Sequence, residues 1–192
     1  MQNLSLNSPK LYSAAYFIDK IAVLAVGTLL MALAAKIQIP FWPVPMTLHT
    51  FAVMSFSLLL GPRMGLAILS AYLAAGAFGA PVFSGSPERG IGFAYIVGPT
   101  GGYLAGYWIA AWVAGALGYG RGLLMRFGAS LVALAVVYAL GLAWLAAFVP
   151  AKALLAAGFW PFLAGDLIKC LLAALVAGVW PLIAKARPEA SL

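Results

Sequence analysis

Long apolar segments, separated by short stretches of Gly, Pro and basic residues, dominate this sequence. Of its 192 residues, 65% are hydrophobic and 8% are charged, which is more apolar surface than a soluble domain of this length can bury. A run of about 20 apolar residues is long enough to cross a bilayer as an α-helix. The chain is therefore predicted to be an all-α membrane protein that crosses the bilayer several times.

Six segments fit this pattern and are predicted to form one transmembrane domain, residues 1–192. Their approximate bounds are 17–39, 47–60, 64–79, 100–118, 127–148 and 161–184. Prolines in the turn 39–45 interrupt the first two helices, because proline lacks a backbone donor and disfavours helix in the residue before it. The stretch 80–97 is rich in Gly, Pro and Ser. Irregular backbone beside a bilayer survives where it lines or caps a cavity, so this stretch is predicted to be a lid.

The placement of Lys and Arg predicts which ends of these segments face the cytoplasm. One side carries Lys10, Lys20, Arg63, Arg121, Arg126, Lys185 and Arg187, and the other carries Lys36, Arg89 and Lys152. By the positive-inside rule both termini are predicted to be cytoplasmic, in the plasma membrane. The turn 39–45, the lid, the connection 149–160 and the start of the last segment are then predicted to lie together on the outer face.

Small residues recur every four positions on two predicted helices. Ala67, Ala71, Ala75 and Gly79 form one stripe, and Gly102, Gly106 and Ala110 form another. Such stripes let helices approach closely within a membrane. Tight internal packing is the predicted use of both, and contact with a partner subunit is the alternative.

The last apolar segment carries an acid and a base, Asp166 and Lys169. Residues three apart on a helix are neighbours, so both side chains can face one cavity. An ionisable residue at the bilayer centre costs roughly 2.5 to 3.5 kcal/mol, so a pair kept inside a span indicates a site for a polar ligand. The alternative is that the two charges neutralise each other and only dock this helix against its neighbours.

Other chemistries have less support. The sequence contains no Gly-Lys pair and therefore no nucleotide-binding P-loop, so the chain is predicted not to be an ATPase. His49 and Cys170 are the single histidine and cysteine, and no metal site or cofactor is predicted. His49 is either a hydrogen-bonded structural residue or part of a site. The basic residues are scattered singly, which argues against nucleic acid as a partner.

An intramembrane aspartyl protease is one enzymatic alternative, since such enzymes place two carboxylates where they share a proton. Asp19 in the first segment and Asp166 in the last are the candidate pair. They are predicted to lie near opposite ends of their helices, too far apart to act together, and the chain is predicted not to be an enzyme.

Five motifs, in order along the chain, resemble the BioY family, the biotin-specific S components of energy-coupling factor (ECF) transporters. These are Pro43–Phe51, Leu60–Gly65, Gly79–Phe83, Gly98–Tyr103 and Pro161–Lys169. The resemblance implies a six-helix S component that captures biotin from the outer face. It also implies a transmembrane coupling subunit and two cytoplasmic ATPases as partners, in agreement with the missing nucleotide motif. An autonomous secondary transporter, with ion coupling through Asp166, is the alternative.

The sequence departs from the family at two places. The family commonly has Gln where this chain has His49. S components often dock the coupling subunit through Ala-x-x-x-Ala on the first helix, and the nearest equivalent here is Thr28-x-x-x-Ala32.

The resemblance also implies roles for the candidate site residues. Asp166 would accept a hydrogen bond from the ureido ring of biotin, and Lys169 would either donate to the ring's carbonyl or balance the charge of Asp166. Bonds of this kind are charge-assisted. The valerate carboxylate would meet the helix start near Gly101 and Tyr103, where backbone N–H groups bind anions, or Arg89 in the lid. Apolar walls and further hydrogen bonds would come from Phe83, Phe93, Tyr95, Trp160, Thr47, His49 and Ser84.

Overall fold

The computed structural model describes residues 9–186, with side chains from residue 18 to residue 179. This part of the chain forms six long and two short helices and one two-stranded hairpin, which confirms the predicted all-α class. The helices are α1 Pro9–Lys36, α2 His49–Leu60, α3 Pro62–Ala77, α4 Phe93–Ile96, α5 Gly101–Gly118, α6 Leu123–Leu145, α7 Ala151–Gly158 and α8 Trp160–Ala186; the strands are β1 Gln38–Ile39 and β2 Met46–Thr47. The side chains of Lys10 and Lys185, and all of Arg187, lie outside the described residues.

Several helical stretches of the described residues are long and apolar enough to cross a bilayer. They are Ile18–Lys36, Leu123–Leu145, and Ala151–Val179, which runs through α7 into α8. The chain is therefore a membrane protein, as predicted. The apolar helix His49–Leu60 has only 12 residues. It is about 18 Å long, shorter than the roughly 30 Å hydrocarbon core, so the six crossings stay a prediction.

The predicted boundaries are wrong near the prolines of the 39–45 turn. The first helix ends at Lys36 rather than residue 39, and the second begins at His49 rather than residue 47. The residues between them form the hairpin, in which Gln38 pairs with Thr47 and Ile39 with Met46. Pairing satisfies backbone groups that proline leaves outside a helix.

The connection 149–160 is also more regular than predicted, because it contains α7. Pro150, in an extended conformation, precedes this helix, and Phe159 separates it from α8. The last helix begins at Trp160, with Pro161 at its second position. Proline is tolerated in the first turn of a helix, where its missing N–H has no partner to lose.

Helix α2 lies in the middle of the bundle, packed against α1, α3, α5 and α8. Its buried residues are His49, Thr50, Ala52, Val53, Met54, Ser55, Ser57 and Leu58. Because other helices surround α2, its polar residues face protein rather than lipid. Neighbouring helices can therefore supply hydrogen-bond partners for these polar groups.

The small-residue stripe on α5 packs internally, as predicted. Gly102, Gly106 and Ala110 are buried against α6. A Cβ atom added at Gly106 would lie 2.8 Å from the Cα atom of Val137. The two backbones are therefore as close as a glycine allows.

The prediction of tight internal packing is wrong for the stripe on α3. Ala67 is exposed, and Ala71, Ala75 and Gly79 are only partly buried. The buried face of α3 consists instead of Gly65, Ile68, Leu69, Tyr72 and Gly76. Large side chains at positions 68, 69 and 72 fill the interior, so the alanines point away from it.

The irregular segments meet at one end of the bundle, as predicted. The Lys36 ammonium donates to the carbonyl oxygens of Phe83 and Ser86, at 3.0 and 2.8 Å. The Arg89 guanidinium donates to the Phe41 carbonyl at 3.0 Å. The Tyr103 hydroxyl donates to the Gly158 carbonyl at 2.7 Å, which ties the start of α5 to the end of α7. That this end faces outward stays a prediction.

Replacing Gly106 by alanine is expected to lower the thermal unfolding temperature in detergent, since the added methyl meets the Val137 backbone, which cannot move aside. Overpacking of this kind costs about 1 to 3 kcal/mol. Gly128→Ala, on α6, is the matched control, because no atom lies within 4 Å of its added Cβ. Equal unfolding temperatures for the two variants would contradict the close α5–α6 packing.

Candidate functional site

A cavity opens among β2, α2, α5, α6 and α8, at the end of the bundle where the irregular segments meet. Its polar groups are concentrated on the α2 and α8 side, and its remaining walls are mostly apolar or aromatic. The lining residues are Val44, Pro45, Met46, Thr47, His49, Ser84, Tyr95, Thr100, Tyr103, Leu104, Tyr107, Val137, Tyr138, Phe162, Asp166 and Lys169. Apolar walls with a few placed polar groups are typical of a small-molecule site.

The carboxylate of Asp166 is buried and accepts three hydrogen bonds from three helices. Thr50 of α2 donates to Oδ1 at 3.0 Å, and Tyr138 of α6 donates to Oδ2 at 2.7 Å. Lys169, one turn along α8, lies 3.0 Å from Oδ1. The Tyr107 hydroxyl lies 2.9 Å from the Thr50 hydroxyl, and since Thr50 donates to Asp166, Tyr107 donates to Thr50. A charge without these donors would be too costly in this setting.

The ammonium of Lys169 is also hydrogen-bonded within the protein. Besides Asp166, it donates to the carbonyl oxygen of Thr47 at 2.6 Å. Its side chain is 11% exposed, and that of Asp166 is 8% exposed. The pair is therefore a nearly buried ion pair that joins α8 to β2, and it faces the cavity as predicted.

A count of hydrogen-bonding capacity shows what the pair still offers to a ligand. A carboxylate accepts about four hydrogen bonds, and the described residues use three of them on Asp166. An ammonium donates three, and the described residues use two of them on Lys169. About one acceptor and one donor are left, side by side on the cavity wall.

A second set of hydrogen bonds connects this side of the cavity to the 80–97 stretch. The Thr47 hydroxyl lies 2.9 Å from Nδ1 of His49, and Nε2 of His49 lies 2.9 Å from the Tyr72 hydroxyl. Tyr72 in turn donates to the carbonyl oxygen of Val82 at 3.3 Å. His49 also stacks on Tyr107, with ring centroids 5.7 Å apart.

Most of the predicted site residues line this one cavity. Three of them come from the β2–α2 region and the lid: Thr47, His49 and Ser84. Ser84 donates to the side-chain oxygen of Gln38, so its hydroxyl proton is already used. Tyr95 and Tyr103 add aromatic walls.

Three predicted aromatic walls lie outside the cavity. Phe93 and Trp160 are 67% and 61% exposed, because each lies at the start of a helix on the outside of the bundle. Phe83 is fully buried but lies behind Tyr95, with stacked ring centroids 4.7 Å apart. The prediction that these rings contact the ligand space directly is therefore wrong, while Phe83 fixes the ring that does line it.

Arg89 lies beside a second cavity rather than the first. This outer cavity is lined by Trp42, Pro43, Glu88, Arg89, Ala94, Tyr95, Gly98, Pro99 and Thr100. It shares Tyr95 and Thr100 with the inner cavity, so these two residues form the boundary between the two spaces. The Arg89 guanidinium also lies over the Trp42 ring, 5.6 Å from its centroid. Burial raises the pKa of the Tyr95 hydroxyl, which therefore stays neutral.

The predicted anion site at the start of α5 is wrong for Gly101 and Tyr103. The Gly101 N–H donates to the Gly98 carbonyl at 3.0 Å, and the Tyr103 N–H donates to the Thr100 carbonyl at 3.1 Å. Gly101 is buried and does not line the inner cavity. Turn-like hydrogen bonds therefore use the backbone donors of Gly101 and Tyr103.

Sequence reasoning missed three hydroxyl groups around Asp166, those of Thr50, Tyr107 and Tyr138. A signal existed for each of them. Thr50 continues the polar run that begins at Thr47, and Tyr107 lies one turn after Tyr103 on the same face of α5. Tyr138 is an isolated polar residue within the apolar helix α6.

The protease alternative finds no support in the geometry. Asp19 is exposed on α1, 17 residues before Lys36, which lies at the cavity end. This separation is about 26 Å along a helix, so Asp19 cannot share a proton with Asp166. Among the side chains described, those of residues 18–179, no cluster of three or more His, Cys, Asp or Glu could hold a metal ion.

The sequence matches relatives of one kind over most of its length. A probable biotin transporter BioY from Pyrococcus horikoshii is 37% identical over 158 residues, which cover 82% of this chain and 93% of that protein. The biotin transporter BioY of Thermotoga maritima is 40% identical over 152 residues, covering 78% of this chain and 88% of that protein.

The fold has a solved counterpart. The S-component for biotin from an ECF-type ABC transporter superposes with a TM-score of 0.73, at 24% identity, over 87% of this chain and 93% of that one. At this identity the likeness establishes the fold, and the predicted S-component fold is confirmed. The family model described as "BioY family" matches residues 4–185. This match covers nearly the whole sequence, and the chain belongs to the BioY family.

Proposed function

We propose that this chain is a biotin-binding membrane subunit that captures the vitamin at the cavity end of the bundle and passes it inward. The observation that carries the proposal is the Asp166–Lys169 pair, which keeps about one acceptor and one donor free beside each other in an apolar cavity. The relatives from Pyrococcus horikoshii and Thermotoga maritima are named as biotin transporters.

The ureido ring of biotin matches the unused capacity of the pair. This ring carries an N–H donor next to a carbonyl acceptor, so Asp166 accepts from the N–H and Lys169 donates to the carbonyl. Both bonds are charge-assisted and about twice as strong as neutral ones. Tyr95, Tyr103 and Phe162 supply walls for the apolar sulfur ring.

The valerate chain extends from the inner cavity past Tyr95 and Thr100 into the outer cavity. Arg89 then meets the carboxylate, because it is the basic residue that lines this second space. This placement replaces the α5 start as the anion site, since the Gly101 and Tyr103 N–H groups are occupied.

ATP-driven transport by this chain requires partners, since the sequence has no nucleotide-binding motif. We propose that a transmembrane coupling subunit and two cytoplasmic ATPases supply the energy, in the plasma membrane with the cavity facing outward. The chain itself catalyses no covalent step in this scheme. Lys36, Arg89 and Lys152 lie toward the cavity end, which agrees with the positive-inside orientation.

Asp166→Asn and Lys169→Ala are each expected to weaken biotin binding at least about 100-fold. Breaking one partner of a buried ion pair leaves the other charge uncompensated, at a cost of about 3 to 5 kcal/mol, and 1.4 kcal/mol is a factor of ten. Equilibrium binding of labelled biotin to purified protein in detergent measures the change. Lys152→Ala, at an exposed residue of α7, is the control and should bind normally. Near-normal affinity in either site variant would reject the pair as the ureido site.

Arg89→Ala is expected to weaken biotin binding about tenfold while leaving the binding of biotinamide, which lacks the carboxylate charge, nearly unchanged. A charge-assisted hydrogen bond contributes about 1.5 to 3 kcal/mol, and only biotin makes it. Competition of the two ligands against labelled biotin measures both affinities. Equal loss for both ligands would mean that Arg89 acts only through its bonds to the 39–45 turn.

Reconstitution of the purified chain alone distinguishes a binding subunit from an autonomous carrier. We expect vesicles containing it to bind biotin without accumulating it under a proton or sodium gradient, because the Asp166 carboxylate is already occupied by three donors. Asp166→Asn vesicles give the background. Uptake that follows the ion gradient would instead favour the secondary transporter with ion coupling through Asp166.

A further inference from the structure

His49 connects the β2–α2 side of the cavity to the 80–97 stretch through both of its ring nitrogens. Nε2 lies 2.9 Å from the Tyr72 hydroxyl, and this hydroxyl lies 3.3 Å from the Val82 carbonyl oxygen. Nδ1 lies 2.9 Å from the Thr47 hydroxyl. Both ring nitrogens of His49 therefore have a partner.

We infer that His49 is a positioning residue that fastens the 80–97 stretch over the inner cavity and thereby sets the rate at which ligand is released. The inference rests on the proposed function, that this cavity holds biotin. Thr47, His49 and Tyr72 form one chain of hydrogen bonds that ends on the Val82 carbonyl. Val82 lies two residues before Ser84, which lines the cavity together with His49.

The chain of hydrogen bonds begins at the ligand site itself. The Thr47 carbonyl accepts from Lys169, and the Thr47 hydroxyl lies 2.9 Å from Nδ1 of His49. One residue therefore contacts both the ion pair and the chain of hydrogen bonds that reaches the 80–97 stretch. We expect a change in the position of Lys169 on ligand binding to reach Val82 through these bonds.

The 80–97 stretch covers one side of the inner cavity, where Ser84 and Tyr95 line it. Lys36 and Arg89 hold the stretch through the carbonyl oxygens of Phe83, Ser86 and Phe41. On the cavity side it is held by the Ser84–Gln38 bond and by the His49 chain of hydrogen bonds. Loss of the His49 bonds should therefore loosen the stretch without releasing it.

Two variants break this chain of hydrogen bonds at different points, and a third variant preserves it. His49→Leu removes both ring nitrogens, and Tyr72→Phe removes the hydroxyl that reaches Val82. His49→Gln keeps one donor and one acceptor on a planar group. Ser55→Ala is the matched control on α2, since the buried Ser55 hydroxyl has no hydrogen-bond partner among the described residues.

Hydrogen exchange of the amides in residues 80–90 of the ligand-free protein in detergent is the first measurement. We expect exchange on the order of tenfold faster in His49→Leu and Tyr72→Phe, because each leaves a buried polar group unpaired. His49→Gln and Ser55→Ala should match the wild type. The double variant His49→Leu with Tyr72→Phe should exchange no faster than the single variant with the faster exchange, since both substitutions break the same chain of hydrogen bonds.

The rate at which labelled biotin dissociates is the second measurement. We expect the variants to follow the same order, with about tenfold faster release from His49→Leu and Tyr72→Phe, the two variants that break the chain of hydrogen bonds. Three results would each overturn the inference. The first is unchanged exchange in a folded His49→Leu variant, and the second is exchange in His49→Gln as fast as in His49→Leu. The third is a double variant whose exchange rate rises by the product of the two single effects. If His49→Leu does not fold, Tyr72→Phe decides in its place. If the wild type binds no biotin while the exchange pattern appears, the fastening holds and the proposed function is wrong.

Discussion

The buried carboxylate of Asp166 is the group on which the rest of the site depends. An ionised carboxylate inside an apolar bundle is affordable only with donors around it, and Thr50, Tyr138 and Lys169 provide them from α2, α6 and α8. The same bonds join three helices at one level of the bundle. The same hydrogen bonds therefore stabilise the buried carboxylate and the packing of the helices around it.

The segments that cover the cavity follow from a second constraint, the need to satisfy irregular backbone near lipid. Backbone carbonyls in the 39–45 and 80–90 regions accept from side chains instead of from a helix. Lys36 and Arg89 supply the outer bonds, and Tyr72 supplies the inner one. A lid held by side-chain donors can be released bond by bond, which a regular helix in the same place could not allow.

Two adjoining cavities suit a ligand with polar groups at both ends. The inner cavity has the ion pair and apolar walls, and the outer one has Arg89. Tyr95 lies at the boundary between the two cavities, and its ring stacks on that of Phe83. Phe83 therefore affects the shape of both cavities although it is fully buried and lines neither. Asp166, Lys169 and Arg89 are the groups to which the proposed function assigns the two polar ends of biotin.

The sequence by itself determined the helical membrane class, the family and the Asp166–Lys169 pair, because apolar length and an ionisable pair within it are local properties. Only the tertiary structure decided which partners the pair has. Thr50, Tyr107 and Tyr138 are far from Asp166 along the chain, and nothing local shows that their hydroxyl groups converge. The tertiary structure also places Arg89 beside the outer cavity, and Phe93 and Trp160 at the surface. The direction of a side chain depends on how helices pack, and that packing is set by close contacts such as Gly106 against Val137.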